Sequence, residues 1–157
     1  MVKYSVSEEN HIKTIFHLQK SAENVSTQAL ADKLNTKPAS VTDMMKKLKA
    51  KKLLEYKPYH GFRLNAAGNK VALGIVRRHR LWEFFLSDKL GFAWDEVHDI
   101  AEHLEHVSSQ KLIDKLDVFL GLPRFDPHGD PIPDKDGVIQ KDEMGYKNNF
   151  VRHETKK

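Results

Sequence analysis

The sequence contains no cysteine. That excludes disulfides and every thiolate chemistry, and it restricts any bound metal to nitrogen and oxygen ligands, away from thiolate zinc sites. No run of roughly twenty apolar residues occurs, so no membrane-spanning helix is expected. The opening stretch, Met1 to Lys13, lacks the apolar core of a signal peptide, and a cytoplasmic location is expected. Glycine is sparse: Gly61, Gly68, Gly74 and Gly91 are scattered and build no phosphate-cradling loop. There is no HExxH motif and no nucleophile elbow. The protein is not expected to be an enzyme.

What is present is unevenly charged. Residues 1–80 hold 16 Lys/Arg against 6 Asp/Glu, a balance of +10, and residues 81–157 hold 10 against 16, a balance of −6. A basic front half suits a polyanion such as nucleic acid, and an acidic, histidine-bearing back half suits a cation or a regulatory ligand. A chain of 157 residues has room for one domain or two small ones.

The periodicity predicts a mainly α chain. A first helix should begin after Ser5 or Ser7, with Glu8 and Glu9 in its first turn. Ile12, Ile15, Phe16 and Leu18 recur at helical spacing along it. Ser26 should cap a short helix, TQALADKL. After the break Asn35-Thr36-Lys37, Pro38 suits the first turn of a third helix running on to Leu53. Two such helices joined by a short turn read as a helix-turn-helix. Two β-prone segments, Leu53–Lys57 and Phe62–Leu64, flank Pro58 and Gly61, and this basic, aromatic hairpin makes the whole a winged helix-turn-helix. Thr36, Lys37, Ala39, Ser40, Thr42 and Asp43 would face a DNA groove. Lys46, Lys47 and the wing residues Lys57, Tyr59, His60 and Arg63 would meet phosphates or the minor groove.

From Asn65 the pattern is helical again, with an acidic helix over WDEVHDIAEHLEHV and another over SSQKLIDKLDVFLG. The expected organisation is a DNA-binding domain at 1–70, a helical dimerisation domain at 71–135 and a polar, flexible tail at 136–157. Placed at about 100° per residue, His98, Glu102, Glu105 and His106 share one stripe roughly 100° wide, opposite Val97, Ile100, Ala101 and Leu104. His79 and Glu83 stand one turn apart on the preceding helix. Imidazoles with carboxylates form a ligand set for a divalent first-row ion. His11, His17, His60, His128 and His153 read as surface histidines rather than ligands.

With a winged helix, Arg77 to Leu86 as RRHRLWEFFL, Val97 to Ser108 as VHDIAEHLEHVS, and PHGDPIP at Pro127 to Pro133, the sequence resembles the diphtheria toxin repressor/manganese transport regulator family. The resemblance covers about residues 5–135. It implies a homodimer that reads palindromic operator DNA under control of a metal co-repressor, Mn(II) or Fe(II), with Zn(II), Co(II) or Ni(II) able to bind in vitro. It further implies that His79, Glu83 and His98 serve one metal site. Glu102, Glu105 and His106 would serve another, joined by Asn10 of the first helix. Iron-type members have Met at the Asn10 position and manganese-type members have Asp. Lys13 stands where manganese-type members carry a carboxylate, which opposes a paired cluster of their kind. Larger members add an SH3-like domain, so a two-domain or shortened form is expected here. The competing reading is a metal-independent winged-helix regulator.

Overall fold

The computed structural model describes residues 3–139 and divides into two compact units, Met1–Ala72 and Leu73–Lys157. The part of the expected flexible tail from residue 140 onward, with His153, lies outside the described residues.

The first unit is a winged helix. Helix α1 (Val6–Leu18) starts at a capping box in which Ser5 accepts from the Glu8 amide and Glu8 accepts from the Ser5 amide. Ser26 caps α2 (Thr27–Leu34), and Pro38 opens α3 (Pro38–Ala50). Ile12, Ile15, Leu30, Val41, Met45 and Leu48 form the buried faces of these three helices.

Helix α3 stops three residues before the predicted Leu53. Lys52 turns left-handed at φ 62° and the Leu53 amide reaches back to the Leu48 carbonyl, closing the helix and releasing the chain into a strand. Strands β1 (Leu54–Lys57) and β2 (Gly61–Leu64) pair antiparallel with Lys57 opposite Gly61. Val25 bridges Phe62 from the other side through two backbone hydrogen bonds, which ties the base of the wing to the helices.

Helix α4 (Ala66–Asp88) runs through the boundary between the units. In the second unit it is followed by α5 (Val97–Leu104) and α6 (Gln110–Phe119). Leu81, Ile113, Leu116, Leu120 and Ile132 make the core there, with Trp82, Phe84 and Phe85 packed on it. Helix α5 is shorter than predicted at both ends. The Glu96 side chain turns back to the Ala93 amide and closes a turn instead of extending the helix, and Glu105 caps the other end. No helix among the described residues is long and apolar enough to cross a membrane.

Three neighbouring arginines fasten the second unit to α4. The guanidinium of Arg77, buried, donates to Asp114 (3.1 Å) and Asp117 (3.0 Å) of α6. Arg78 Nε donates to the Glu105 carbonyl at the end of α5 (2.6 Å), and Arg80 Nη1 donates to the Pro131 carbonyl (2.6 Å). These charge-assisted contacts fix where Glu105 and the 126–133 loop stand against the helix.

Candidate metal centre and nucleic-acid interface

Glu83 lies at the centre of the acidic site and is 1 % exposed. It sits one turn beyond His79 on α4, so its carboxylate and that imidazole share a face. A single oxygen, Oε2, has three imidazole nitrogens around it: His79 Nε2 at 3.2 Å, His128 Nδ1 at 3.5 Å and His98 Nδ1 at 3.6 Å. It completes no hydrogen bond with any of them. His79, Glu83 and His98 thus offer ligand atoms within 4.8 Å of one another, as do Glu83, Asp126 and His128.

The other ring nitrogen of His79 is engaged. Nδ1 donates to Glu105 Oε1 at 2.7 Å, and Glu105 is 0 % exposed. A buried carboxylate on Nδ1 fixes the ring's orientation and leaves Nε2 facing Glu83, the arrangement that orients a metal-ligating histidine. Glu105 also stands 3.8 Å from His106 Nε2. Glu102 meets His98 Nε2 at 3.3 Å at the more open edge, where both side chains are exposed. Asn10 lies on α1 in the first unit, half-buried, its backbone carbonyl accepting from the Thr14 hydroxyl.

Along the predicted stripe, burial rises from His98 and Glu102 to Glu105. His98 and Glu102 lie on α5 and stay exposed, but Glu105 is the residue that ends the helix. The hydrogen bond from Arg78 to its carbonyl holds that turn against α4, and its side chain is buried against His79.

Asp126 and His128 were not among the predicted ligands, and His128 was expected on the surface. Its ring instead faces Glu83 (3.5 Å) and Asp126 (3.8 Å), while Nε2 donates to the Trp94 carbonyl at 2.6 Å. The loop holds this shape because Asp126 Oδ1 accepts from the amides of His128 and Asp130. The clue was available in DPHGDPIP, Asp126 to Pro133, where a histidine and two aspartates share a loop too stiff to be a linker.

The charges in this group are strongly perturbed. Asp126 and Glu83 hold the His128 imidazole protonated, raising its pKa to about 10 against the opposing effect of burial. Burial, with the neighbouring Glu83 charge, pushes Asp126 up to about 6. Burial opposes the charge on Glu83, but the imidazoles of His128 and His79 outweigh it and hold the carboxyl well below its ordinary range. Asp126 Oδ2, like Glu83 Oε2, is buried without a hydrogen bond. Two such oxygens among imidazole nitrogens fit a divalent cation with nitrogen and oxygen preference.

In the first unit the twelve residues predicted to meet DNA are all exposed: Thr36, Lys37, Ala39, Ser40, Thr42, Asp43, Lys46, Lys47, Lys57, Tyr59, His60 and Arg63. Asn35, Thr36, Lys37 and Ser40 line a shallow hollow at the start of α3. Thr42 turns its hydroxyl back to the Pro38 carbonyl, and Arg63 stands 3.7 Å from Glu23.

Comparison with known proteins agrees with this division of labour. Residues 3–62 match the family described as "Iron dependent repressor, N-terminal DNA binding domain". Residues 65–134 match "Iron dependent repressor, metal binding and dimerisation domain". The chain belongs to the diphtheria toxin repressor/manganese transport regulator family. Within this family it is 36 % identical over 110 residues to the HTH-type transcriptional regulator MntR of Oceanobacillus iheyensis, covering 70 % of this chain and 74 % of that one. It is 28 % identical over 132 residues to the diphtheria toxin repressor of Corynebacterium jeikeium, covering 84 % of this chain and 55 % of the repressor, so it spans little more than half of that relative. A solved manganese-dependent transcriptional repressor in complex with manganese superposes with a TM-score of 0.78 at 39 % identity, over 87 % of this chain and 63 % of that one. The family is one of transcriptional regulators with a winged DNA-binding unit and a helical metal-binding and dimerisation unit.

Proposed function

We propose that this protein is a transcriptional repressor whose binding to palindromic operator DNA, as a homodimer, is switched on by a divalent metal ion. The observation that carries the reading is the buried Glu83 carboxylate, with three imidazole nitrogens within 3.6 Å of one oxygen and no hydrogen bond to it. His79, Glu83 and His98 would hold an ion at one group, and Glu83, Asp126 and His128 at the adjoining one. Glu105 orients His79 and, with His106 and Glu102, supplies further oxygen and nitrogen donors. Mn(II) or Fe(II) suits these donors, and Zn(II), Co(II) or Ni(II) would compete in vitro. When bound, the ion supplies positive charge that relieves the repulsion between buried carboxylates.

The residues themselves do the coupling. His79 and Glu83 lie on α4, the helix whose first turns belong to the DNA-binding unit, so the ligands stand on an element common to both units. A metal shifts the balance towards a DNA-competent state only by binding that state more tightly. Val118, Phe119 and Leu122, each more than 60 % exposed, offer an apolar surface on and just beyond α6 for the second subunit. The test is fluorescence anisotropy on a duplex recovered by in-vitro selection with the Mn(II)-loaded protein. Binding with Mn(II) and loss of binding with chelator is the expected result, and equal binding in both is the outcome of a metal-independent regulator.

A further inference from the structure

The tip of the wing carries a residue at odds with its own backbone. Lys57, Pro58, Tyr59 and His60 form a β-turn closed by the His60 amide donating to the Lys57 carbonyl at 3.0 Å. Pro58 takes the second position, and Tyr59 takes the third with φ 67°. Turns with proline second and a positive φ third normally place Gly or Asn there, because a side chain in the left-handed region crowds its own carbonyl. Tyr59 is moreover 103 % exposed, its ring wholly in solvent. A ring left in solvent gains nothing from burial, so no packing in the isolated fold offsets the backbone strain of the tyrosine.

Hairpin packing does not account for it. That role belongs to Tyr56, whose ring meets Phe62 (centroids 5.0 Å apart) and lies under the Lys49 ammonium at 5.9 Å. The base of the wing is also held firmly, so the tip has a defined position. Gly61 passes so close to the Val25 carbonyl that a Cβ there would lie 2.4 Å from its oxygen. Lys57, paired with Gly61 at the base of the turn, and His60, beside Tyr59, are both exposed, so cationic and polar groups flank the ring.

Building on the DNA-binding reading above, we propose that Tyr59 is the specificity-bearing apolar contact of the wing. Its ring enters the minor groove beside the half-site read by α3 and packs on sugar and base edges, while Lys57 holds the adjacent phosphate. An apolar group in the minor groove senses width and step flexibility rather than charge. Its contribution therefore differs from a lysine's in one measurable respect, the salt dependence.

The experiment uses the Mn(II)-loaded full chain, the selected duplex and a scrambled duplex of the same composition. Tyr59→Asn is expected to raise the thermal midpoint of the metal-free protein, because Asn tolerates the left-handed turn. It should weaken binding to the selected duplex about tenfold or more, as loss of a buried aromatic contact does. It should leave the slope of log K against log salt unchanged and narrow the preference for the selected duplex. Tyr59→Phe should bind within about twofold of wild type, and Lys57→Ala should reduce the slope by about 0.9. Wild-type affinity in Tyr59→Asn, a slope lowered as by a lysine change, or equal losses in the Phe and Asn variants would each overturn this inference alone. Wild-type protein that binds neither duplex would overturn the DNA reading and this inference with it.

Discussion

Replacing Glu105 by Gln separates a structural carboxylate from a metal-directed one. Its side chain is fully buried, with Oε1 taking the His79 Nδ1 proton at 2.7 Å. The amide oxygen of Gln still accepts that proton, so the metal-free fold exchanges a charge-assisted bond for a neutral one at a cost of about 1 kcal/mol. The metal-bound state loses more, since the negative charge that raises the basicity of His79 and balances the ion is removed. A group of this kind is worth about 10–100-fold in metal affinity. At a Mn(II) concentration of about 100 times the wild-type Kd, the ion stabilises the wild-type fold by about 2.7 kcal/mol, or about 5–11 °C for a chain of this size. The same Mn(II) stabilises the variant by only about 0.4–1.4 kcal/mol, or about 1–6 °C. Differential scanning calorimetry with and without Mn(II) reads both quantities. The His103→Gln control, at an exposed ring that faces the Asp99 carbonyl, keeps the full shift. An undiminished Mn(II) shift in the Glu105→Gln protein would show that Glu105 plays no part in holding the ion.

Three further outcomes follow from other parts of the structure. The His128 pKa is raised to about 10 in the fold from 6.5, so the stability it contributes is complete below pH 6.5 and is lost as pH rises through 10. Urea unfolding of metal-free wild type and His128→Gln should therefore converge across that window, and Mn(II) affinity should rise with pH as the imidazolium proton is displaced. Lys46→Ala and Lys47→Ala, both at exposed positions of α3, should each lower the salt slope of DNA binding by about 0.9 in anisotropy titrations, leaving metal affinity unchanged. Gly68→Ala should destabilise the first unit by about 1–3 kcal/mol in chemical denaturation, because its Cβ would lie 2.3 Å from the Leu53 carbonyl oxygen.

Local signals carried the winged helix into view. Ser5, Ser26 and Pro38 mark helix starts through capping chemistry that acts within four residues, and the structure places the starts where they indicate. The end of α3 was less legible, since Lys51 and Lys52 are good helix formers and only the left-handed turn at Lys52 stops the helix. In the site, the pairing of His79 with Glu83 follows from i, i+4 spacing alone. A helical wheel puts Glu105 on the His98 face, and its backbone is still helical there; its burial and its bond to His79 depend on Arg78 and α4, which a wheel of one helix does not show. His128 was missed because its contacts are to Glu83 and Trp94, more than thirty positions away in sequence. The charge division also needs refinement. Arg77, Arg78 and Arg80 counted towards a basic front half, yet each makes a specific internal bond to α6, α5 or the 126–133 loop and belongs to the second unit's scaffold.

In the proposed repressor the Glu83 site and the DNA-reading surface are coupled, and coupling of binding free energies must be reciprocal. Isothermal titration of Mn(II) into the protein, alone and with saturating selected duplex, measures it without reference to transcription. DNA is expected to tighten Mn(II) binding by about 5–150-fold, the same factor by which Mn(II) tightens DNA binding. Identical Mn(II) isotherms with and without DNA would contradict it.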